Sequence, residues 1–172
     1  MDSRVVDLLL DLGAVPPRLN VNCRNTDEIV LQTKLMTGAA LGTRSTGPGP
    51  EVIYPYYRDE EHAARLMEEH LDKLRRHEVA PRDITILSPR PFEKSSARLL
   101  SGRWRRKLIR HDDAHSAQYP PHDISFATIA SFKGLENRFI LLTDIDDPGE
   151  TERALATLDV GMRGARVSLW IA

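Results

Sequence analysis

The sequence predicts an α/β fold built on a mostly parallel sheet flanked by helices. Short strand-like runs alternate with amphipathic helical ones along the chain, the pattern of a parallel sheet with crossover helices. The run at 138–144 is nearly all apolar after Arg138, as befits a central strand covered on both faces. The 172 residues, 41% hydrophobic and 28% charged, suffice for one packed core and argue against wholesale disorder.

Ser3 can cap a helix that runs to Leu12 and stops at Gly13, before Pro16-Pro17. Leu19 to Asn22 looks like a short strand. Asn25 or Thr26 caps the next helix, with Asp27 and Glu28 in its first turn and Gly38 at its end. Residues 38–50 hold four glycines and two prolines, a loop composition. Glu51 to Tyr57 predicts a strand that Pro55 makes an edge or a bulged one. Asp59 to His77 is the clearest helix, with Ala63, Met67, Leu71 and Leu74 on one stripe. Asp83 to Leu87 alternates as a strand, and Phe92 to Ser101 predicts a helix. Ile124–Ile129 and Arg138–Asp144 predict strands, Glu150–Gly161 a helix, and Val167–Ile171 a last strand. The expected organisation is an N-terminal helix over 1–14, the tail of a preceding segment, and one domain over 15–172.

Lys and Arg number 24 against 25 Asp and Glu, which excludes a globally basic nucleic-acid binder but leaves room for a local basic patch. Cys23 is the sole cysteine, so no internal disulfide and no cysteine zinc cluster can form. No apolar run is long enough to span a bilayer. A cytoplasmic protein without a membrane partner is the expectation.

The string Gly-x-x-x-x-Gly-Lys-Ser/Thr, which cradles nucleotide phosphates between a strand and a helix, does not occur. Three acidic clusters invite a metal reading. Asp59-Glu60-Glu61-His62 opens an amphipathic helix, where acids partner the dipole. His111-Asp112-Asp113-Ala114-His115 lies in a polar stretch before Pro120-Pro121, and Asp144, Asp146 and Asp147 follow a buried strand. Loop and helix-start roles are the commoner explanation for all three, so no metal site is expected.

Four stretches carry chemistry. Arg24 sits between a strand end and a helix start, where a guanidinium suits phosphate oxygens; pairing with Asp27 or Glu28 is the equal alternative. Thr128 to Glu136 (Thr-Ile-Ala-Ser-Phe-Lys-Gly-Leu-Glu) joins two strands with hydroxyls, a lysine, a glycine and a carboxylate, suited to a phosphate or a sugar hydroxyl or to a plain connection. Gly161 to Arg166 offers Arg163 and Arg166 as finger arginines for a transferring phosphoryl group, although cations also suit a helix end. Between Arg98 and Arg110 stand six cations (with Arg103, Arg105, Arg106 and Lys107) around Trp104 and no acid. Cations with a stacking aromatic suit single-stranded nucleic acid, and a solvated charge run is the alternative.

These strings together resemble the second RecA-like domain of UvrD/Rep-type superfamily 1 DNA helicases, the UvrD-like helicase C-terminal domain. Leu19, Asn22 and Arg24 match Leu-x-x-Asn-Tyr-Arg-Ser, with Cys23 in place of Tyr. Thr128, Ile129, Ser131, Lys133, Gly134, Leu135 and Glu136 match Thr-Ile-His-Ser-x-Lys-Gly-Leu-Glu, with Ala130 in place of His. Leu158, Val160, Gly161, Met162, Ala165 and Arg166 match the third pattern, Leu-Tyr-Val-Gly-Met-Thr-Arg-Ala-Arg. The family's finger arginine falls on Gly164, and Arg163 or Arg166 would have to replace it from a neighbouring position. One residue along a helix turns a side chain by about 100°.

The resemblance implies a P-loop NTPase type of fold without its own P-loop. It implies that Arg24, Gly134 and Glu136 contact ATP and that Arg163 or Arg166 stabilises charge. Thr128, Ser131, Lys133 and the cations Arg103, Arg105, Arg106 and Lys107 would meet single-stranded DNA. The magnesium and the phosphates would sit on a P-loop-bearing RecA-like partner domain or chain, so the chain alone should not hydrolyse ATP. The rival reading is a single-stranded nucleic-acid-binding module, or helicase remnant, with no ATP role. A metal-dependent hydrolase using His111–His115 is a third.

Overall fold

The computed structural model describes residues 22–39, 45–111, 121–145 and 151–172. The helix expected over Ser3–Leu12 lies outside them, as do Asp112–His115 and Asp146–Asp147 and all but Asn22 of the expected first strand.

Five parallel strands form one sheet: β1 (Ile84–Ser88), β2 (Leu108–Arg110), β3 (Ile124–Thr128), β4 (Asn137–Leu142) and β5 (Ala165–Ile171). Their spatial order is β2-β3-β1-β4-β5. The central strands are apolar on both faces. Leu87, Ala127, Ile140, Leu142, Leu169 and Ile171 point into one core layer, and Ile84, Ile86, Phe126, Leu141 and Trp170 into the other. This alternation explains the near-continuous hydrophobic run at 138–144.

Helix α1 (Asp27–Thr37) covers the first layer through Ile29, together with α4 (Glu152–Arg163) through Leu158 and Met162. It ends where Gly38 turns to φ +68°, a conformation suited to glycine. Helix α2 (Glu60–Arg76) covers the second layer. Its stripe residues Ala63, Met67, Leu71 and Leu74 are buried, which stabilises the fold by roughly 1.5–3 kcal/mol for each large side chain. Asp59 caps α2 by accepting from the His62 N–H at 2.7 Å. The acids at 59–61 therefore begin a helix, as the dipole argument expects.

Four elements depart from expectation. The segment 51–57 makes one bridge, Ile53 to Trp170 beside β5, and Pro55 prevents a longer ladder. Residues 92–101 form two 3-10 turns, Phe92–Lys94 and Ser96–Leu99, in place of a helix. Ser95 breaks them in extended conformation, and its hydroxyl accepts from the Ala97 N–H while donating to Asp144. The short helix α3 (Gly102–Arg105) and the edge strand β2 carry too few residues for any periodicity to show.

Candidate functional site

Two groups of the residues singled out in the sequence gather at opposite edges of the sheet. At the amino edge, β4 and β5 begin side by side, with Asn137 in register with Ala165. Glu136 precedes β4 there and Arg166 is the second residue of β5. Arg24 reaches the same place from ahead of α1. Arg24 Nε lies 2.6 Å from one oxygen of Glu136, and Arg166 Nη1 lies 3.3 Å from the other. Arg24 thus pairs with Glu136 and not with the neighbouring Asp27 or Glu28.

Asparagines build this meeting. Asn22 Oδ1 accepts from the N–H groups of Arg24 and Asn25, at 2.9 and 3.1 Å, and turns the chain into α1. The Asn25 amide then donates to the carbonyls of Arg163 and Ala165, which fastens this turn to the junction of α4 and β5. Sequence reasoning offered Asn25 only as a helix cap. The cap position belongs to Thr26, whose side chain makes no capping bond. The usable signal for Asn25 was its place beside Arg24.

Gly134, two residues before Glu136, has φ +88°, a turn that glycine makes without strain. The two finger candidates diverge. Arg166 joins Glu136, whereas the Arg163 side chain points along α4 to Asp159 at 3.0 Å. At Gly164 itself a Cβ would come within 2.7 Å of Phe132 Cε1, so this position is closed to a side chain as packed. Side chains at the cluster remain 50% exposed for Arg24, 34% for Glu136 and 51% for Arg166, so solvent and an anionic ligand can both reach it.

The carboxyl edge holds Thr128 and Ser131. Their hydroxyls are 2.9 Å apart, and the Ser131 N–H donates to Thr128 Oγ1 at 3.1 Å. Ile129 and Phe132, both buried, anchor the connection from this edge to Glu136 at the other. Lys133 is exposed on that connection.

The basic stretch does not join them. Arg103, Arg105, Arg106 and Lys107 precede β2, whose first residue Leu108 is in register with Ile124, about 13 Å before Thr128 along the strands, so they lie toward the amino edge. Arg103 pairs with Asp72 at 2.6 Å and Arg98 with Glu60 at 2.7 Å, both acids of α2. Trp104, expected as a stacking aromatic, is only 4% exposed and packs in the second core layer under Arg103 and Lys107. The acids on α2 that pair with Arg98 and Arg103 cannot be seen in a local window of sequence. Arg110, the last residue of β2, is the cation of this stretch that does reach the Thr128 edge.

A buried carboxylate supports this edge. Asp144, at φ +64°, accepts from Ser88 Oγ at 2.6 Å, Ser95 Oγ at 2.7 Å and the Ser96 N–H at 3.0 Å. It ties the end of β4 to the end of β1 and to the 3-10 turns. With every contact a hydroxyl or amide, it is a structural acceptor. Among the described residues no group of three or more His, Cys, Asp or Glu could hold a metal ion, and no helix is long and apolar enough to cross a membrane.

No family model and no curated protein matches the sequence. Among solved structures, the C-terminal domain of a possible DNA helicase from Lactobacillus plantarum WCFS1 superposes with a TM-score of 0.62. The two are 16% identical, over 87% of this chain and 85% of that one. At that identity the likeness is one of fold, and it agrees with the all-parallel, helix-flanked sheet expected of a RecA-like domain.

Proposed function

We propose that this chain is the C-terminal RecA-like half of a UvrD-like, ATP-dependent DNA helicase. Its amino edge would face ATP and its carboxyl edge single-stranded DNA. The observation that carries this reading is the convergence of Arg24, Glu136 and Arg166 from three distant stretches of sequence, at 2.6 and 3.3 Å. Two guanidiniums held by one half-exposed carboxylate are placed for an anion that replaces it. The donor set fits a polyphosphate: Arg24 and Arg166 would meet phosphate oxygens, and Glu136, once released, would accept from a ribose hydroxyl. A P-loop-bearing RecA-like partner, on this chain or another, would supply the remaining phosphate cradle and the magnesium.

A second reading has its own observation. The closure of Gly164 by Phe132 removes the position where the family carries its finger arginine, which favours a single-strand-binding module without an ATP role. The two readings separate in one experiment. The purified chain is assayed for ATP turnover with oligo(dT), alone and after adding the P-loop domain of a UvrD-type helicase. The helicase reading expects no turnover alone, turnover in the mixture, and its loss with Arg24→Ala or Arg166→Ala. Oligo(dT) binding that ignores nucleotide in the mixture, with no turnover, supports the binding module instead.

A further inference from the structure

At the carboxyl edge the chain closes a pocket of about 230 Å3 between the 3-10 turn after β1, the end of β2 and the end of β3. Phe92 forms one wall. Its ring stands edge-on to the buried Phe126, with centroids 5.1 Å apart and planes at 75°. The Arg110 guanidinium lies 4.9 Å over the Phe92 ring and is also paired with Glu93. Thr128 and Ser131 present their two hydroxyls in the lining of the same pocket.

This chemistry selects its occupant. The aromatic wall and the flat guanidinium favour a planar, polarisable ring. The hydroxyls can each donate or accept, so they tolerate different ring edges. The Glu93 carboxylate beside Arg110 cancels the local positive charge and disfavours a phosphate inside. The space admits one ring system and not a chain of phosphates.

We propose that this pocket takes a single unstacked nucleobase of a bound single strand. The base packs against the Phe92–Arg110 wall and its edge is met by Thr128 and Ser131. This deepens the single-strand reading above and rests on it. It also moves the stacking role from the buried Trp104 to Phe92, which the sequence did not single out for this purpose.

The test measures binding of oligo(dT) and of an abasic oligomer of the same length to the full chain by fluorescence anisotropy, at two salt concentrations. Phe92→Leu should weaken oligo(dT) binding roughly 5- to 100-fold, the range for loss of one stacked base. Phe92→Tyr, which keeps the ring, should bind as the native chain does. Abasic binding and the salt dependence should stay unchanged in both variants. Equal losses on the two oligomers, or native binding that does not distinguish them, overturns the pocket while leaving single-strand binding in place. Failure of the native chain to bind either oligomer at low salt overturns the strand reading itself, and the pocket with it.

Discussion

Phe132 fills the space that a side chain at Gly164 would need: a Cβ there would stand 2.7 Å from the ring's Cε1 and 3.2 Å from Cδ1. Phe132 is 1% exposed and belongs to the first core layer, so it cannot swing aside into solvent. The missing finger and the packed ring are therefore one feature. Gly164→Ala should destabilise the chain by about 1–3 kcal/mol through overpacking. Gly164→Arg should destabilise at least as much and should not raise turnover with a P-loop domain above that of the native chain in the same mixture. Thermal unfolding and the turnover assay check both. An unshifted Tm in Gly164→Ala would show that the ring yields freely and that the closure argument is wrong.

Trp104 and Trp170 are 4% and 2% exposed, on the layer covered by α2. Tryptophan emission should be blue-shifted, poorly quenched by acrylamide, and unchanged on saturation with oligo(dT). Trp104→Ala should cost about 3–5 kcal/mol, the range for emptying a core site of this size. Strong quenching by oligo(dT) would return the stacking role to Trp104.

His70 on α2 stacks on Trp170, with ring centroids 5.9 Å apart. Burial, with a smaller effect from Lys73, lowers its pKa from 6.5 to about 4. Between those values the unfolded chain binds the proton and the folded chain does not. Stability should therefore rise with pH across this window, be complete above 6.5 and be lost as pH falls toward 4, by up to about 3 kcal/mol. Urea unfolding of the native chain and of His70→Gln at pH 4.5 and 7.5 measures it. The native chain should lose more stability than the variant on acidification. Equal losses would remove His70 from the account.

The fold was legible where burial imposes a period. The α2 stripe, the run at 138–144 and the Gly38 stop each follow from local residues, and each stands where expected. What escaped was set by partners far away in sequence. Ser95 looks like a helix residue until Asp144, from the end of β4, takes its hydroxyl. The cations at 98 and 103 look free until Glu60 and Asp72 on α2 reach them. The site divides in the same way. Arg24, Glu136 and Arg166 each stand in one of the motifs that carry the family resemblance. That Arg166 joins Glu136 while Arg163 turns to Asp159 depends on where α4 ends against β5, which no window of sequence contains.

Asp144 links the core to the pocket at the carboxyl edge. Its two oxygens hold Ser88, Ser95 and the Ser96 amide, and Ser95 ends the turn that carries Phe92. Asp144→Ala would leave two hydroxyls and an N–H without their acceptor, in a site closed to water. It would also place alanine at φ +64°. Together these should cost about 3 kcal/mol or more. Asparagine tolerates the left-handed backbone and keeps one acceptor oxygen, and the serine hydroxyls can rotate to suit its amide, so Asp144→Asn should cost only about 1–2 kcal/mol. Because the same bonds fix the Phe92 turn, Asp144→Ala should also weaken oligo(dT) binding under conditions where it remains folded, and Asp144→Asn should largely preserve it. Circular dichroism melts paired with the anisotropy assay separate the two effects. A folded Asp144→Ala that binds oligo(dT) as well as the native chain would mean that the turn holds Phe92 without this carboxylate.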